Sequence, residues 1–579
     1  MNFMEKLAKH KTCPSYEEGG CCRACYMGPC RITDKAKEGV CGATGSTVSA
    51  RNLGRMAAAG ASSLSTAVLS VLGNRASDWV SKQEEKGLDL SKILPSDRVA
   101  LLNRLHLTPR NVHREIVELL HRVSIGVDQE CEHILLQTIR MSLGGVLFSA
   151  LLPADEKSVT ADIDTAVLSE EKPNVILYGN VELNSDKVNV VRVDSQLRLE
   201  ALLTSGRVDV VFYNLHSQSI KYMAECYHTA YIRDNSGIDV VAKAVENQSK
   251  RTQTLNFKGT ISQIKLSARL LKNALMESNI RGIVWLSGCV NPRLEDKRAE
   301  LVKELVAQDI LVIVTGCSIN QLIDTDLLHQ LIAPVGEFLK EFCEKTGIPP
   351  VVYLGSCLKE GAVIKLLNEI SGAAGIGDIS SLPVGLIIPS WRSERNISLM
   401  LGAIACGISV QVGSHLPINS EVRGFLENSC NEILLGHFLK EDVSIIEYLN
   451  RKRERLSLSA HLNTYVPETT TTNEDYIDMV AGAAFSIYRA LGHGLSTDVY
   501  RNALIVELKQ LDLQTSMVNV PILYQGEVIS SLEELLVEDK LIVCIGDARN
   551  ELKAALLGTK KEKGMYIVFD REMLRIGWI

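Results

Sequence analysis

Six of the 15 cysteines in this chain fall between Cys13 and Cys41. The opening MNFMEKLAKHKTC lacks the apolar core of a secretory signal, so the chain reads as cytosolic, where thiols stay reduced and disulfides are disfavoured. Metal ligation is the natural reading of so dense a group. Within CCRACYMGPCRITDKAKEGVCGA, Cys22, Cys25, Cys30 and Cys41 are interleaved with Gly28, Pro29, Gly39 and Gly42. Four thiolates on a tight glycine-bearing loop suit a [4Fe-4S] cube, because glycines let backbone N–H groups approach the sulfides and tune the potential. Structural zinc is the competing reading, but zinc prefers two matched CxxC or CxxH pairs, and this run is asymmetric. Cys13 and Cys21 are then left over. Each chain offers half the ligands of a further cluster, which a two-fold homodimer would complete; two ordinary buried thiols are the alternative.

A second group is dispersed. Cys289, Cys317 and Cys357 each close an apolar run and follow a glycine or Gly-Ser, in GIVWLSGC, ILVIVTGC and VVYLGSC. The carboxyl ends of neighbouring parallel strands face one crevice, so three such thiols can converge on a metal. Buried cysteine as a small hydrophobe is the alternative, and the threefold repeat of one pattern argues against it. Cys131, Cys226, Cys343, Cys406 and Cys430 lie in apolar contexts and read as core packing. His113, His121 and His228 read as structural.

These residues need elements to hold them. At 579 residues the chain is too long for one core, and at about 150 residues per domain it suggests roughly three or four units. A hydrophobic fraction of 46% with 23% charged excludes general disorder. A net charge of -7 without a dense Lys/Arg block leaves nucleic acid without an electrostatic footprint. No apolar run reaches the roughly 20 residues that a membrane helix needs.

The texture implies a multidomain α plus α/β chain. Residues 1–171 read as an N-terminal helical Fe–S domain, with amphipathic stretches such as VHREIVELLHRVSIGVD. Residues 172–278 and 279–457 alternate β-branched runs with helices, the pattern of two Rossmann-like parallel α/β domains. Residues 458–474 have a threonine run and almost no large apolar residue and read as a linker. Residues 475–579 read as a small C-terminal α/β domain of two helices and three short strands, including PILYQ and KLIVCIG.

The run CPSYEEGGCCRACYMGPCRITDKAKEGVCGATGSTVSARN resembles the N-terminal signature of nickel–iron carbon monoxide dehydrogenases, relatives of the hybrid-cluster (prismane) proteins. HRVSIGVD, AECYHT, IRGIVWLSGC, VIVTGC, YLGSC and SWRSER extend the resemblance in order, over about Cys13 to Leu456. It implies an obligate homodimer with a helical domain and two Rossmann-like domains. Cys22, Cys25, Cys30 and Cys41 would hold the internal cube, and Cys13 and Cys21 an intersubunit [4Fe-4S] or [2Fe-2S] cluster. Cys289, Cys317 and Cys357 match three cysteine ligands of the family's nickel–iron catalytic cluster.

The departures are as informative. The family's histidine ligand aligns with Asn180, one further cysteine ligand aligns with Leu215, and the segment bearing another is deleted between about Leu197 and Val208. The histidines of the family's proton path fall on Leu64, Ala67 and Ser70, and the family's catalytic lysine on Arg395, which stabilises an anion but donates a proton poorly. The resemblance thus implies an anaerobic iron–sulfur oxidoreductase of the carbon monoxide dehydrogenase or hydroxylamine reductase type. A ferredoxin-like carrier would feed two relay clusters. A variant third cluster, simple or containing oxygen or nickel, would act on a small molecule, supported by Glu394, Arg395 and Asn180. CO/CO2 conversion is expected to be weak or absent. An active nickel-dependent carbon monoxide dehydrogenase and a noncatalytic electron-transfer or scaffold subunit are the alternatives.

The end of the chain has its own resemblance. AGAAFSIYRALGHGLSTDVYRNALIVEL, PILYQGEVI and ELLVEDKLIV look like the GxxExxY family, small relatives of PD-(D/E)XK nucleases. The positions that would bind Mg2+ and activate water read Glu534, Cys544 and Gly546, and the motif glutamate reads Thr497. With the lysine and most carboxylates gone, the expectation is a docking, capping or assembly module without nuclease activity.

Overall fold

The computed structural model describes residues 13–578 except 73–87, 151, 153–158, 252–254, 265, 277–278, 291–296, 324–327, 329–334, 441, 457, 459–479, 481–482, 485–486, 489, 512, 525–526, 547–551, 554, 557–558, 560, 562 and 570–573. The expected linker over 458–474 lies, apart from Leu458, outside the described residues. The chain divides into two compact units, Met1–Ala373 with Asp378–Leu449, and Ala374–Gly377 with Asn450–Ile579.

In the first unit a helical layer is built on α1 (Gly45–Leu72), which packs on α2 (Val112–Arg122), α3 (Cys131–Ser149) and α7 (Glu394–Ala405). Small residues let these axes come close. A Cβ added at Gly145 would stand 2.9 Å from that of Ala61, and one at Gly60 would run into the Glu394 carbonyl. The glycine therefore seats the start of α7 directly on α1. Asn111 caps α2 by accepting from the His113 N–H at 2.8 Å.

Two sheets follow. The smaller has the order β5 (Asn189–Val193), β4 (Asn174–Tyr178), β6 (Val210–Tyr213), β7 (Ala230–Arg233), all parallel. It carries α4 (Gln196–Thr204) and α5 (Gln218–Cys226). Asp209, 1% exposed, ties its base together: it accepts from the Asn174 N–H at 2.6 Å and from Arg251 at 3.0 and 2.6 Å. Burial raises its carboxyl, against the Arg251 hydrogen bond. Removing one partner of such a pair strands the other charge. Asp209→Ala is therefore expected to cost about 3 kcal/mol, checked by guanidinium unfolding of the full chain followed by circular dichroism.

The larger sheet has seven strands in the order β13 (Ser409–Val412), β12 (Val384–Ile388), β9 (Gly282–Leu286), β10 (Ile310–Thr315), β11 (Val351–Gly355), β8 (Lys258–Gln263), β3 (Val159–Asp164). All neighbours are parallel except β3 on β8. Strands β9, β10 and β12 are buried along their whole length, as parallel strands covered on both faces must be. This sheet draws β3 and β8 from outside 279–457, the antiparallel β3 pairing along the β8 edge. From β9 the order runs one way to β10 and β11 and the other way to β12 and β13. The reversal opens a crevice at the carboxyl end of β9.

The second unit contains a five-stranded sheet in the order β14 (Thr515–Tyr524), β15 (Glu527–Val537), β16 (Leu541–Ile545), β17 (Lys563–Phe569), β18 (Leu574–Trp578), parallel only between β16 and β17. The three strands expected from the sequence are five. The polar run from Ser530 to Glu534 hides β15, and Pro521 is tolerated because β14 is an edge strand. On one face α8 (Thr497–Gln510) packs through Tyr500, whose ring stacks on Phe569 at 3.9 Å. Among the described residues no helix is long and apolar enough to cross a membrane.

Candidate metal centres

The N-terminal thiols sit on a short hairpin. β1 (Cys21–Cys22) pairs with β2 (Cys30–Arg31), which sets Cys22 opposite Cys30. Between them Gly28 donates to the Cys25 carbonyl at 3.1 Å, and a Cβ there would crowd Cys22 O, Cys25 O and Cys30 N at 3.2 to 3.3 Å. Gly39 faces Cys30 Sγ, 3.7 Å from where its Cβ would be. Cys13, Cys25 and Cys41 are exposed, and Cys21, Cys22 and Cys30 are half-buried. Asn52 of α1 holds the hairpin by donating to Gly19 O (3.3 Å) and Cys21 O (2.9 Å). Arg55, one turn on, is drawn below its ordinary range by burial, against the opposing pull of the Cys22 thiol. A loop with its side chains cut back around four thiols, with a cation beside one of them, fits a sulfur-rich anionic cluster. Cys13 and Cys21 line one surface recess of about 580 Å3 with Arg23, Arg31 and Arg55.

The dispersed cysteines follow the ends of β9, β10 and β11, adjacent parallel strands at the crevice. Cys289 is pinned by backbone: its N–H donates to Ser390 O at 3.1 Å, and its carbonyl accepts from Ser390 Oγ at 2.5 Å and from Arg298. Gly288 has φ +119° and would place a Cβ 2.6 Å from Ser390 O, so only glycine fits before this cysteine. The Cys289 thiol donates to Asn396 Oδ1 at 3.0 Å. Burial raises it, while the Ser393 and Arg392 N–H groups and the Arg298 and Arg392 charges pull it down. Tyr227 Oη donates to Cys317 Sγ at 3.3 Å. Burial, and then the Cys317 and Cys289 thiols, push this phenol well above its ordinary range. Arg392 lies over its ring, 5.6 Å from the centroid. Arg395, 3% exposed, donates to Cys357 Sγ at 3.6 Å and to Ser63 Oγ and O at 3.1 and 2.9 Å. Behind it Glu360, the first residue of α6 (Glu360–Ala373), is buried, accepts from Ser287 Oγ at 3.3 Å, and is pushed up to about 8 by burial against the charge of Arg395.

The three thiols thus lie at one sheet end among arginines, with Tyr227 Oη on Cys317 and Arg395 on Cys357. Asn180 is exposed, its N–H and carbonyl engaged by Asn214 at 2.9 and 2.7 Å. Glu394 is exposed at the first turn of α7. Leu215 is 56% exposed, and Leu64 and Ala67 are buried core; the side chain of Ser70 lies outside the described residues. Sequence reasoning missed Tyr227, Arg298, Arg392, Asn396, Glu360 and Glu200, which lines a small cavity with Cys317, Cys357 and Tyr353. Tyr227 stands inside AECYHT, where the neighbouring histidine is the more conspicuous candidate.

Among the described residues no three His, Cys, Asp or Glu side chains come together tightly enough for one metal ion; the thiols of a cluster sit on different irons and stand further apart. Cys343, Cys406 and Cys430 are fully buried and pushed up to about 12 by burial, the behaviour of core residues. Cys131 is half-buried, and the side chain of Cys226 lies outside the described residues. In the second unit Glu534 is 5% exposed, Cys544 is fully buried, and Thr497 lies beside Gly546.

Residues 20–83 and 212–442 match the model of the Prismane/CO dehydrogenase family, and residues 474–561 that of the PD-(D/E)XK nuclease superfamily. The chain belongs to the Prismane/CO dehydrogenase family. It is 26% identical to carbon monoxide dehydrogenase 1 of Methanosarcina mazei and 27% identical to that of Methanosarcina acetivorans, over 77% of this chain and 93% of each relative. Its fold is similar to that of a nickel-free carbon monoxide dehydrogenase from Thermococcus sp. AM4 (TM-score 0.64, 24% identity, 79% of this chain, 94% of the other). It is also similar to carbon monoxide dehydrogenase IV from Carboxydothermus hydrogenoformans (TM-score 0.62, 22% identity, 79% and 96%).

Proposed function

We propose that the chain is an anaerobic iron–sulfur oxidoreductase on the carbon monoxide dehydrogenase scaffold, acting on a small molecule, with CO/CO2 conversion weak or absent. Cys22, Cys25, Cys30 and Cys41 would hold a [4Fe-4S] cube, Cys13 and Cys21 half of a cluster shared in a homodimer, and Cys289, Cys317 and Cys357 a variant third cluster. Such clusters supply one-electron transfer and an iron able to bind a small ligand. A ferredoxin-like carrier would dock as electron donor, and the C-terminal domain would serve docking or assembly.

One observation carries the reading. Three thiols follow three adjacent parallel strands, one of them beside Arg395, while Asn180 and Leu215, which the family resemblance sets at the places of two further ligands, are exposed. The protein's own groups then have definite work. Arg395 and Arg392 set positive charge against the thiols and any anionic ligand. Tyr227 orients the Cys317 sulfur by donating a hydrogen bond to it. Leu64 and Ala67, buried and apolar, move no proton.

Iron and nickel counted per chain in protein purified without air test this. Iron beyond the two relay clusters, no stoichiometric nickel, and CO oxidation about 10²–10⁴-fold below a nickel-bearing relative are expected, the range that lost acid–base groups cost. Nickel in stoichiometric amount with rapid CO turnover would overturn it.

A further inference from the structure

We infer that Tyr227 is a positioning residue of the third centre: its hydroxyl donates to Cys317 Sγ and sets the reduction potential of a cluster bound there. This rests on the reading above, that Cys289, Cys317 and Cys357 hold a cluster.

Tyr227 follows α5 and belongs to the four-stranded sheet's layer, whereas Cys317 follows β10 of the seven-stranded sheet. The phenol therefore reaches from one sheet's domain onto a thiol of the other. Three residues hold it there. The Tyr227 N–H is fixed to Met223 O and Ala224 O, both at 3.2 Å, and the ring, 6% exposed, is covered by the Arg392 guanidinium. A phenol at neutral pH is a hydrogen-bond donor, and the sulfur 3.3 Å away can accept it.

A donor to a cluster thiolate stabilises the more negative, reduced state and raises the potential. The arginine over the ring acts in the same sense, because a cation over the π face makes the hydroxyl a stronger donor. Asn396 stands at Cys289, a different sulfur, so it does not replace the donor at Cys317.

The test uses the full chain purified without air and Tyr227→Phe, which keeps the ring and its packing. Potentials are read by redox titration followed by EPR and Mössbauer spectroscopy, with iron counted in parallel. We expect unchanged iron and unchanged relay-cluster midpoints. At the wild-type midpoint of the third cluster, the ratio of reduced to oxidised cluster should fall about tenfold, ~59 mV more negative for a one-electron couple. Arg392→Gln should shift that midpoint the same way by less. An unchanged third-cluster midpoint in Tyr227→Phe overturns this inference and leaves the proposed function standing. A wild-type protein with iron for the relay clusters alone overturns both.

Discussion

Replacing Cys30 by serine is expected to remove about four irons per chain and to end electron delivery from an external reductant. Cys30 lies opposite Cys22 in the hairpin register, and its Sγ faces Gly39, so it stands at the middle of the thiol loop rather than on its rim. Serine keeps the shape but offers a hard, weakly acidic oxygen where iron–sulfur chemistry needs a soft thiolate. Changes among groups that only support metal ligands cost 10–100-fold; loss of a ligand should exceed that, to about 10²-fold or more in turnover. The fold itself should survive, because the helical layer is packed through α1, α2, α3 and α7. Iron analysis, the EPR signal of the reduced cube and circular dichroism together decide it. Wild-type iron and an unaltered signal in the variant would sink the assignment.

The second large effect concerns pH. Glu360 is buried against Ser287 and Arg395, and its carboxyl is raised from an ordinary 4.5 to about 8. A folded-state pKa above the unfolded one means that the native protein holds a proton that the unfolded chain has released. Stability from this group is full below about 4.5 and is lost as the pH rises through about 8. A tenfold difference in proton affinity between the folded and unfolded chain is worth ~1.4 kcal/mol, so Glu360→Gln, which cannot ionise, should gain about 4 kcal/mol on wild type between pH 4 and pH 9. Arg395→Met removes the cation that favours the charged carboxylate and should move the wild-type inflection upward. Denaturant midpoints measured across that range under anaerobic conditions give the answer. A parallel pH dependence in wild type and Glu360→Gln would refute the assignment.

Much of this architecture was legible in the residues because its signals are local. The tight glycine-bearing loop of the N-terminal thiols follows from glycine and cysteine spacing within about twenty positions, and the structure adds the hairpin register that sets Cys22 opposite Cys30. The three strand-Gly-Cys repeats predicted thiols at strand ends, and the strand order β9-β10-β11 places those ends side by side. Gly288 was visible only as a member of that repeat; its φ of +119° and its closeness to Ser390, which admit no side chain, belong to the fold. By contrast, nothing local marks Arg298, Arg392 or Tyr227 as neighbours of Cys289 and Cys317. The same holds for β15, whose polar residues carry no alternation strong enough to announce a strand.

The sequence alone thus showed which side chains could serve a metal centre: thiols in two groups, able to ligate it, and Arg395, a permanent cation able to set charge beside it. Side-chain chemistry and spacing along the chain do not depend on the fold. The tertiary structure decided which groups meet. It left Asn180 and Glu394 at the surface and brought Tyr227, Arg395 and Asn396 onto the three thiols. Contacts of that kind join residues about 40 to 110 positions apart, across two sheets and a helical layer, and only the packing of those layers sets them.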